Sequence, residues 1–236
     1  MCFAASQWWG LRESKNFKGE KAMATVRNNV FKIGENFVTL IGDEVRVGDV
    51  APDFTSVVAG WAKVNPIQES RGKVIILSAV PSLDTDVCDR ETRRFNEEAA
   101  KLSDDIVIYT ISTDFPMAQK RWCGAAGVEK VKVVSDVLEA EFGEKYGILI
   151  KERRYLRRSV FIVGRDGKLT YVHYLPALGD EPNYAEVISA ANDALKGLWC
   201  MKRQSTKGVE RVILGVCLQP QKPVHAGRQD TTFAIG

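Results

Sequence analysis

The sequence predicts a mixed α/β fold, a central sheet flanked by helices with a β-hairpin on its N-terminal side. Three observations carry that reading. Apolar runs of strand length alternate with stretches of helical spacing. Their order, strand–helix–strand units followed by a hairpin and a closing helix, is that of a mixed sheet. The 236 residues are 45% apolar and 27% charged, ordinary for a chain that buries a substantial core. No apolar stretch approaches the length of a membrane span.

The elements follow in chain order. Phe37–Leu40 and Glu44–Val47 flank Gly42-Asp43, a two-residue hairpin signal. Val50–Phe54 is an extended lead-in, because Pro52 keeps Ala51 out of the helical region. Strands are predicted at residues 73–79, 106–112, 131–134, 158–164 and 169–175. A helical stretch, Arg90–Leu102, lies between the first two. A second helix opens at Asp114-Phe115-Pro116, with Asp114 or a neighbour as cap and Pro116 in the first turn. It ends near Gly124 or Gly127. Residues 137–146 read as a third helix stopped by Gly147. The strands around Arg165–Lys168 make an antiparallel hairpin. Tyr184, Val187, Ile188, Ala191 and Leu195 recur at helical spacing in a last helix over 183–196.

The ends differ from the middle. Residues 1–22 show no period, and residues 198–236 mix Gln, Lys, Pro and Gly with one apolar run, Val212-Ile213-Leu214. Codons for Lys18-Gly19-Glu20 can spell a purine-rich ribosome-binding sequence ahead of Met23. The expectation is therefore a translated leader over 1–22, a functional domain over 23–197, and an atypical tail. The net charge of +3 resides in those ends, which carry +2 and +4 and leave −3 for the domain. That balance gives no support for nucleic-acid binding. The five cysteines, Cys2, Cys88, Cys123, Cys200 and Cys217, do not have the spacing of a disulfide scaffold. With no C-x-x-C pair and two histidines, no structural zinc site is expected. This usage fits a reducing cytoplasm with redox chemistry at one or two positions.

The segment Pro81-Ser82-Leu83-Asp84-Thr85-Asp86-Val87-Cys88 carries the chemistry. It leaves an apolar run, Val74–Leu77, and enters a helix, so Cys88 falls in that helix's first turn. Unpaired N–H groups and the positive dipole end converge there and favour a thiolate, the form that attacks electrophiles. The Thr85 hydroxyl is close enough in sequence to bond the same sulfur. A free cysteine is also often a small buried hydrophobe. The Pro-x-x-x-Thr-x-x-Cys spacing is what separates the two readings.

Pro81, Thr85 and Cys88 match the active-site pattern of peroxiredoxins, and the full string resembles the thiol peroxidase subfamily of bacteria. Arg93-Arg94-Phe95-Asn96, Arg121–Gly127 and Arg158-Ser159-Val160-Phe161 match in the same order, and the resemblance covers roughly residues 29–197. It implies a thioredoxin-like fold and a peroxidatic role for Cys88. Thr85 would bond the thiolate and the peroxide, Pro81 would shape the pocket, and Arg158 would supply a positive charge. Without the resemblance, Arg158 is not distinguishable from Arg153, Arg154 and Arg157, which suit a charged surface. Cys123 resembles the resolving cysteine of the atypical two-cysteine arrangement within one chain. The resemblance further implies peroxide as substrate, thioredoxin as reductant, a homodimer, and no metal or organic cofactor.

Two rivals remain open on the residues alone: a disulfide oxidoreductase, disfavoured by the missing C-x-x-C, and a redox-regulated binding protein. Asp86 departs from the family pattern, since a carboxylate there opposes a thiolate unless it faces solvent. His173 is expected on the exposed face of a hairpin. Arg90, Arg93 and Arg94, among Glu91, Glu97 and Glu98, are expected on a solvated helix face, with room for one arginine at the active-site network.

Overall fold

The computed structural model describes residues 24–197, so the expectations for 1–22 and 198–236, with Cys2, Cys200 and Cys217, fall outside the described residues. The elements are β1 (Val26–Ile33), β2 (Asn36–Ile41), β3 (Ser56–Val57), β4 (Lys63–Val64), α1 (Pro66–Glu69), β5 (Val74–Ala79), α2 (Asp86–Ala99) and β6 (Ile106–Ser112). They continue with α3 (Pro116–Ala126), β7 (Lys132–Ser135), α4 (Glu141–Lys145), β8 (Leu149–Ile150), β9 (Tyr155–Leu156), β10 (Ser159–Val163), β11 (Leu169–Tyr174) and α5 (Tyr184–Leu195).

The main sheet has the strand order β11-β10-β5-β6-β7-β3-β4. Its middle pairs, β5–β6 and β6–β7, are parallel, while β10, β11, β3 and β4 join antiparallel. The apolar run of β5 is buried on both faces, as a central strand requires. Alternation sends Val74 and Ile76 to one core with Phe95 of α2 and Val187 and Ala191 of α5. Ile75 and Leu77 face a second core with Phe54, Phe142, Tyr146 and Phe161.

The N-terminal hairpin exists, but its register is not the one Gly42-Asp43 predicts. β1 pairs β2 around Gly34-Glu35, with Gly34 at φ +60°. Glu44–Val47 is not a strand. Val45 N–H is instead held by the Tyr174 hydroxyl at 2.8 Å. Gly42 serves a different need: it sits at φ +93°, and a Cβ there would lie 1.7 Å from the Glu144 carbonyl oxygen. The glycine marks close packing of two backbones rather than a hairpin turn.

The helix predicted over 137–146 is also shorter. Ala140 at φ +51° breaks the path, and the Asp136 carboxylate accepts from Phe142 N–H (3.1 Å) and Gly143 N–H (2.8 Å) to start α4. The two-residue strands β3, β4, β8 and β9 carry too little sequence for a period to be read.

Asn96 closes the link between α2 and the chain after α3. Its Oδ1 accepts from the backbone N–H groups of Glu129 (3.1 Å), Lys130 (2.8 Å) and Val131 (3.3 Å). No helix among the described residues is long and apolar enough to cross a membrane.

Candidate active site

The site forms where three strands of the main sheet end together. The loop after β5 carries Pro81 and Thr85 and enters α2, placing Cys88 in its first turn. β10 runs antiparallel beside β5 with Ser159 opposite Ala79, so Arg158 lies next to that loop. β6, parallel to β5, delivers Asp114 and α3 at the same edge. Ligand chemistry at the carboxyl ends of parallel strands is a general property of such sheets.

Cys88 is fully buried, packed with Val80, Leu83, Trp122 and Val133. Two donors reach its sulfur: the Thr85 hydroxyl at 2.8 Å and Arg158 Nη2 at 3.1 Å. Thr85 is the N-cap of α2, yet its side chain makes no cap hydrogen bond. Its hydroxyl has one proton and two acceptors in reach, Sγ and the Ser82 carbonyl at 3.0 Å. With a thiolate the proton serves sulfur. With a thiol, S–H donates to Thr85 and the hydroxyl turns to Ser82.

Arg158 is 1% exposed. Its Nε donates to Leu178 O at 2.9 Å, and Nη1 forms an ion pair with the fully buried Glu91. Ser78 Oγ donates to the other Glu91 oxygen at 2.6 Å. Burial pushes the Glu91 carboxyl above its usual range, against the pull of Arg158 and Ser78. Burial works against the Arg158 charge, but Glu91 and Cys88 outweigh it and raise its pKa. A guanidinium has five N–H groups. Three are committed here, leaving one on each terminal nitrogen.

The residue this helix face gives to the active-site network is the buried Glu91, not one of its arginines. The signal was legible: Cys88, Glu91, Thr92 and Phe95 form one stripe at i, i+3, i+4 and i+7, all buried. A carboxylate on that stripe needs a cation, and Arg158 is it. Arg90, Arg93 and Arg94 do face outward, paired with Glu181, Asp89 and Glu97/Glu98. Asp86 is exposed, so its charge is screened by water. Arg157 is not a surface charge. It lies over Phe31 (4.6 Å) and Tyr174 (5.4 Å) and donates to Leu175 O. His173 is half-buried opposite Val160 rather than exposed, with Nδ1 3.3 Å from the Tyr171 hydroxyl.

Pro81 is buried at the start of the loop and lines a cleft of about 350 Å³ with Ser82, Asp114, Arg153 and Tyr155. Cys123 lies in the last turns of α3, half-buried, with burial pushing its thiol pKa up. Its neighbour Trp122 packs into the Cys88 cluster and donates from Nε1 to Asp89 at 3.0 Å. Arg93 adds a bond to Ala126 O at 2.9 Å and lies over the Trp122 ring. The helices bearing the two cysteines are thus clasped side by side.

A mixed sheet that presents a buried cysteine to a hydroxyl and a guanidinium defines a thiol-based oxidoreductase. The Redoxin family profile matches residues 46–188, and the chain belongs to that family. A thiol peroxidase of Bacillus subtilis (strain 168) is 51% identical over 67% of this chain and 94% of its own length. One from Oceanobacillus iheyensis is 50% identical over 66% and 93%. A peroxiredoxin-like protein from Aquifex aeolicus superposes with a TM-score of 0.62 at 37% identity, covering 67% of this chain and 93% of that one. These likenesses place the chain among the bacterial thiol peroxidases, as a thiol-dependent peroxidase with a thioredoxin-like fold.

Proposed function

We propose that Cys88 is the peroxidatic nucleophile and Cys123 the resolving cysteine of the same chain, acting on hydrogen peroxide and small organic hydroperoxides. The observation that carries this is the pair of donors on the Cys88 sulfur, Thr85 Oγ1 and Arg158 Nη2. Both stabilise an anionic sulfur. The thiolate attacks one peroxide oxygen and the O–O bond breaks. The leaving oxygen takes a proton and departs as water or an alcohol, and Cys88 becomes a sulfenic acid. The free N–H groups of Arg158 stabilise the charge that grows on the oxygens, and Pro81 shields the pocket. Cys123, held protonated by its burial, does not compete for peroxide. It then displaces water from the sulfenic acid to form a disulfide. A disulfide needs Cα atoms within about 7 Å, and local opening of the clasp between α2 and α3 is the expected route to it.

Reduction by thioredoxin through dithiol exchange restores both thiols. The working unit is residues 23–197, in the cytoplasm and as a homodimer. Exposed Phe115 and Met117 at the start of α3, with Trp61 edge-on to Phe115 at 6.2 Å, support a self-association surface beside the site. The deciding experiment is peroxide consumption with a thioredoxin system. Wild type is active, Cys88→Ser is inactive, and Cys123→Ser completes a first turnover but fails to recycle. Equal activity in all three, or an unchanged free-thiol count after one equivalent of peroxide, refutes the scheme.

A further inference from the structure

We propose that Asp114 is a positioning residue for the peroxide step, acting through Ser82 and Thr85 on the Cys88 sulfur. The inference rests on the assignment of Cys88 and Thr85 made above. Asp114 lies two residues past the end of β6 and two before α3, in a different crossover from the cysteine loop. Its Oδ1 accepts from Ser82 Oγ at 2.7 Å. Its Oδ2 accepts from Leu83 N–H and from Ser112 Oγ, both at 2.8 Å. The two hydrogen bonds that residues 81–84 donate beyond their own loop, from Ser82 Oγ and Leu83 N–H, both end on this carboxylate.

The consequence reaches the sulfur in two steps. Holding Ser82 and Leu83 fixes the Ser82 carbonyl, which accepts from the Thr85 N–H (3.2 Å) and lies 3.0 Å from the Thr85 hydroxyl oxygen. The Thr85 oxygen is thereby set 2.8 Å from Cys88 Sγ. Asp114 is itself held in place. Ser112, which donates to it, accepts from the buried Gln119 Nε2 at 2.9 Å, and Gln119 also donates to Val134 O at 3.0 Å. The donors run one way, from α3 through Ser112 to Asp114, and Asp114 collects the loop from the other side. Three donors converge, and a carboxylate is the side chain that accepts on both oxygens. An asparagine turns its NH₂ toward Ser82, whose hydroxyl can rotate to accept, so it keeps part of the anchor. An alanine keeps none.

The test is a double-mutant cycle on the peroxide step, read by stopped-flow single turnover at a temperature where each variant is folded. Asp114→Ala is expected to slow that step about tenfold or more, the effect of misplacing one hydrogen bond to an ionic group. Asp114→Asn is expected to fall between it and wild type. In the Thr85→Val background, Asp114→Ala adds less than about threefold, because the residue it works through is gone. Reduction of the preformed disulfide by dithiothreitol stays within about twofold. If Asp114→Ala fails to fold, Asp114→Asn and Ser82→Ala take its place in the cycle. Losses that multiply with Thr85→Val show that Asp114 matters only for general structure and overturn the proposal. So does a peroxide step within about twofold of wild type. A Thr85→Val enzyme with wild-type rate removes the assignment of Thr85 itself, an outcome distinct from failure at Asp114 alone.

Discussion

Replacing Thr85 with valine removes one oxygen and keeps the shape of the side chain. The backbone there is extended, at φ −104° and ψ 142°, which suits a β-branched residue. Losing an N-cap threonine ordinarily costs about 1 kcal/mol. That loss is absent here, because the Thr85 hydroxyl makes no cap bond and points at Cys88 Sγ, 2.8 Å away. A hydrogen bond to an ionised group is worth about 1.5–3 kcal/mol. At about 1.4 kcal/mol per decade, the peroxide step should slow about 10- to 150-fold. The hydroxyl is also expected to bond the peroxide, which moves the result toward the upper end. Stopped-flow tryptophan fluorescence measures the step directly, since Trp122 packs in the Cys88 cluster. A thermal melt run alongside should move by less than about 4 °C, and Thr85→Ser should recover most of the rate. A Thr85→Val rate within about threefold of wild type refutes the reasoning. So does a rate loss matched by an equal loss of stability.

Three further outcomes are expected. Glu91→Gln removes the buried carboxylate of the Arg158 ion pair and leaves the Cys88 sulfur as its one remaining anionic partner, a defect of about 3–5 kcal/mol, so calorimetry should show the melt falling by about 6–20 °C. A shift under about 2 °C means the pair does not hold the site. Asp136 is raised to about 7, first by burial and then by Glu141 and Glu144, against the pull of two backbone N–H groups. The folded state therefore keeps a proton that the unfolded chain releases near pH 4, so this group's contribution to stability falls as pH rises from about 4 to about 7. The change is up to about 4 kcal/mol and is complete above that window. Urea unfolding of wild type and Asp136→Asn across pH 4–8 should show their difference following that slope, and parallel curves would falsify it. Trp122→Phe removes the bond to Asp89 and loosens the clasp. Disulfide formation after oxidation should quicken about three- to tenfold, read as less sulfinic acid by mass spectrometry at high peroxide. An unchanged yield removes the clasp from the resolution step.

Much of the fold was legible because strand and helix periods are local. The runs that became β5, β6 and β10, and the helices α2, α3 and α5, appear within a residue or a few of their expected bounds. What failed was long-range. Gly42 has a turn glycine's sequence context, but its purpose is the backbone of Glu144, about a hundred residues away in the chain. The site divides the same way. Thr85 and Cys88 are three residues apart and announce each other. Arg158 stood out from its three neighbouring arginines only through the resemblance, because the strand register that seats it beside Ala79 is not written near it. Glu91 is readable from its stripe, but the charged residues that flank it point to solvent. Asp114 gave a cap-like signal and proved to serve a different loop.

Asn96 gives the molecule a boundary. By gripping three successive amides beyond α3, it ties the second half of α2 to the strand that follows, while Asp114 and Gln119 pin the opposite end of α3. On the two-cysteine reading, the turns that must part to bring the sulfurs together lie between those fixed points. Rearrangement is then a local breathing of two helix turns, and the sheet behind them keeps its register. On that reading, cycling between oxidation states does not carry the protein near its own denaturation, and its endurance is set by chemistry at sulfur rather than by wear on the fold.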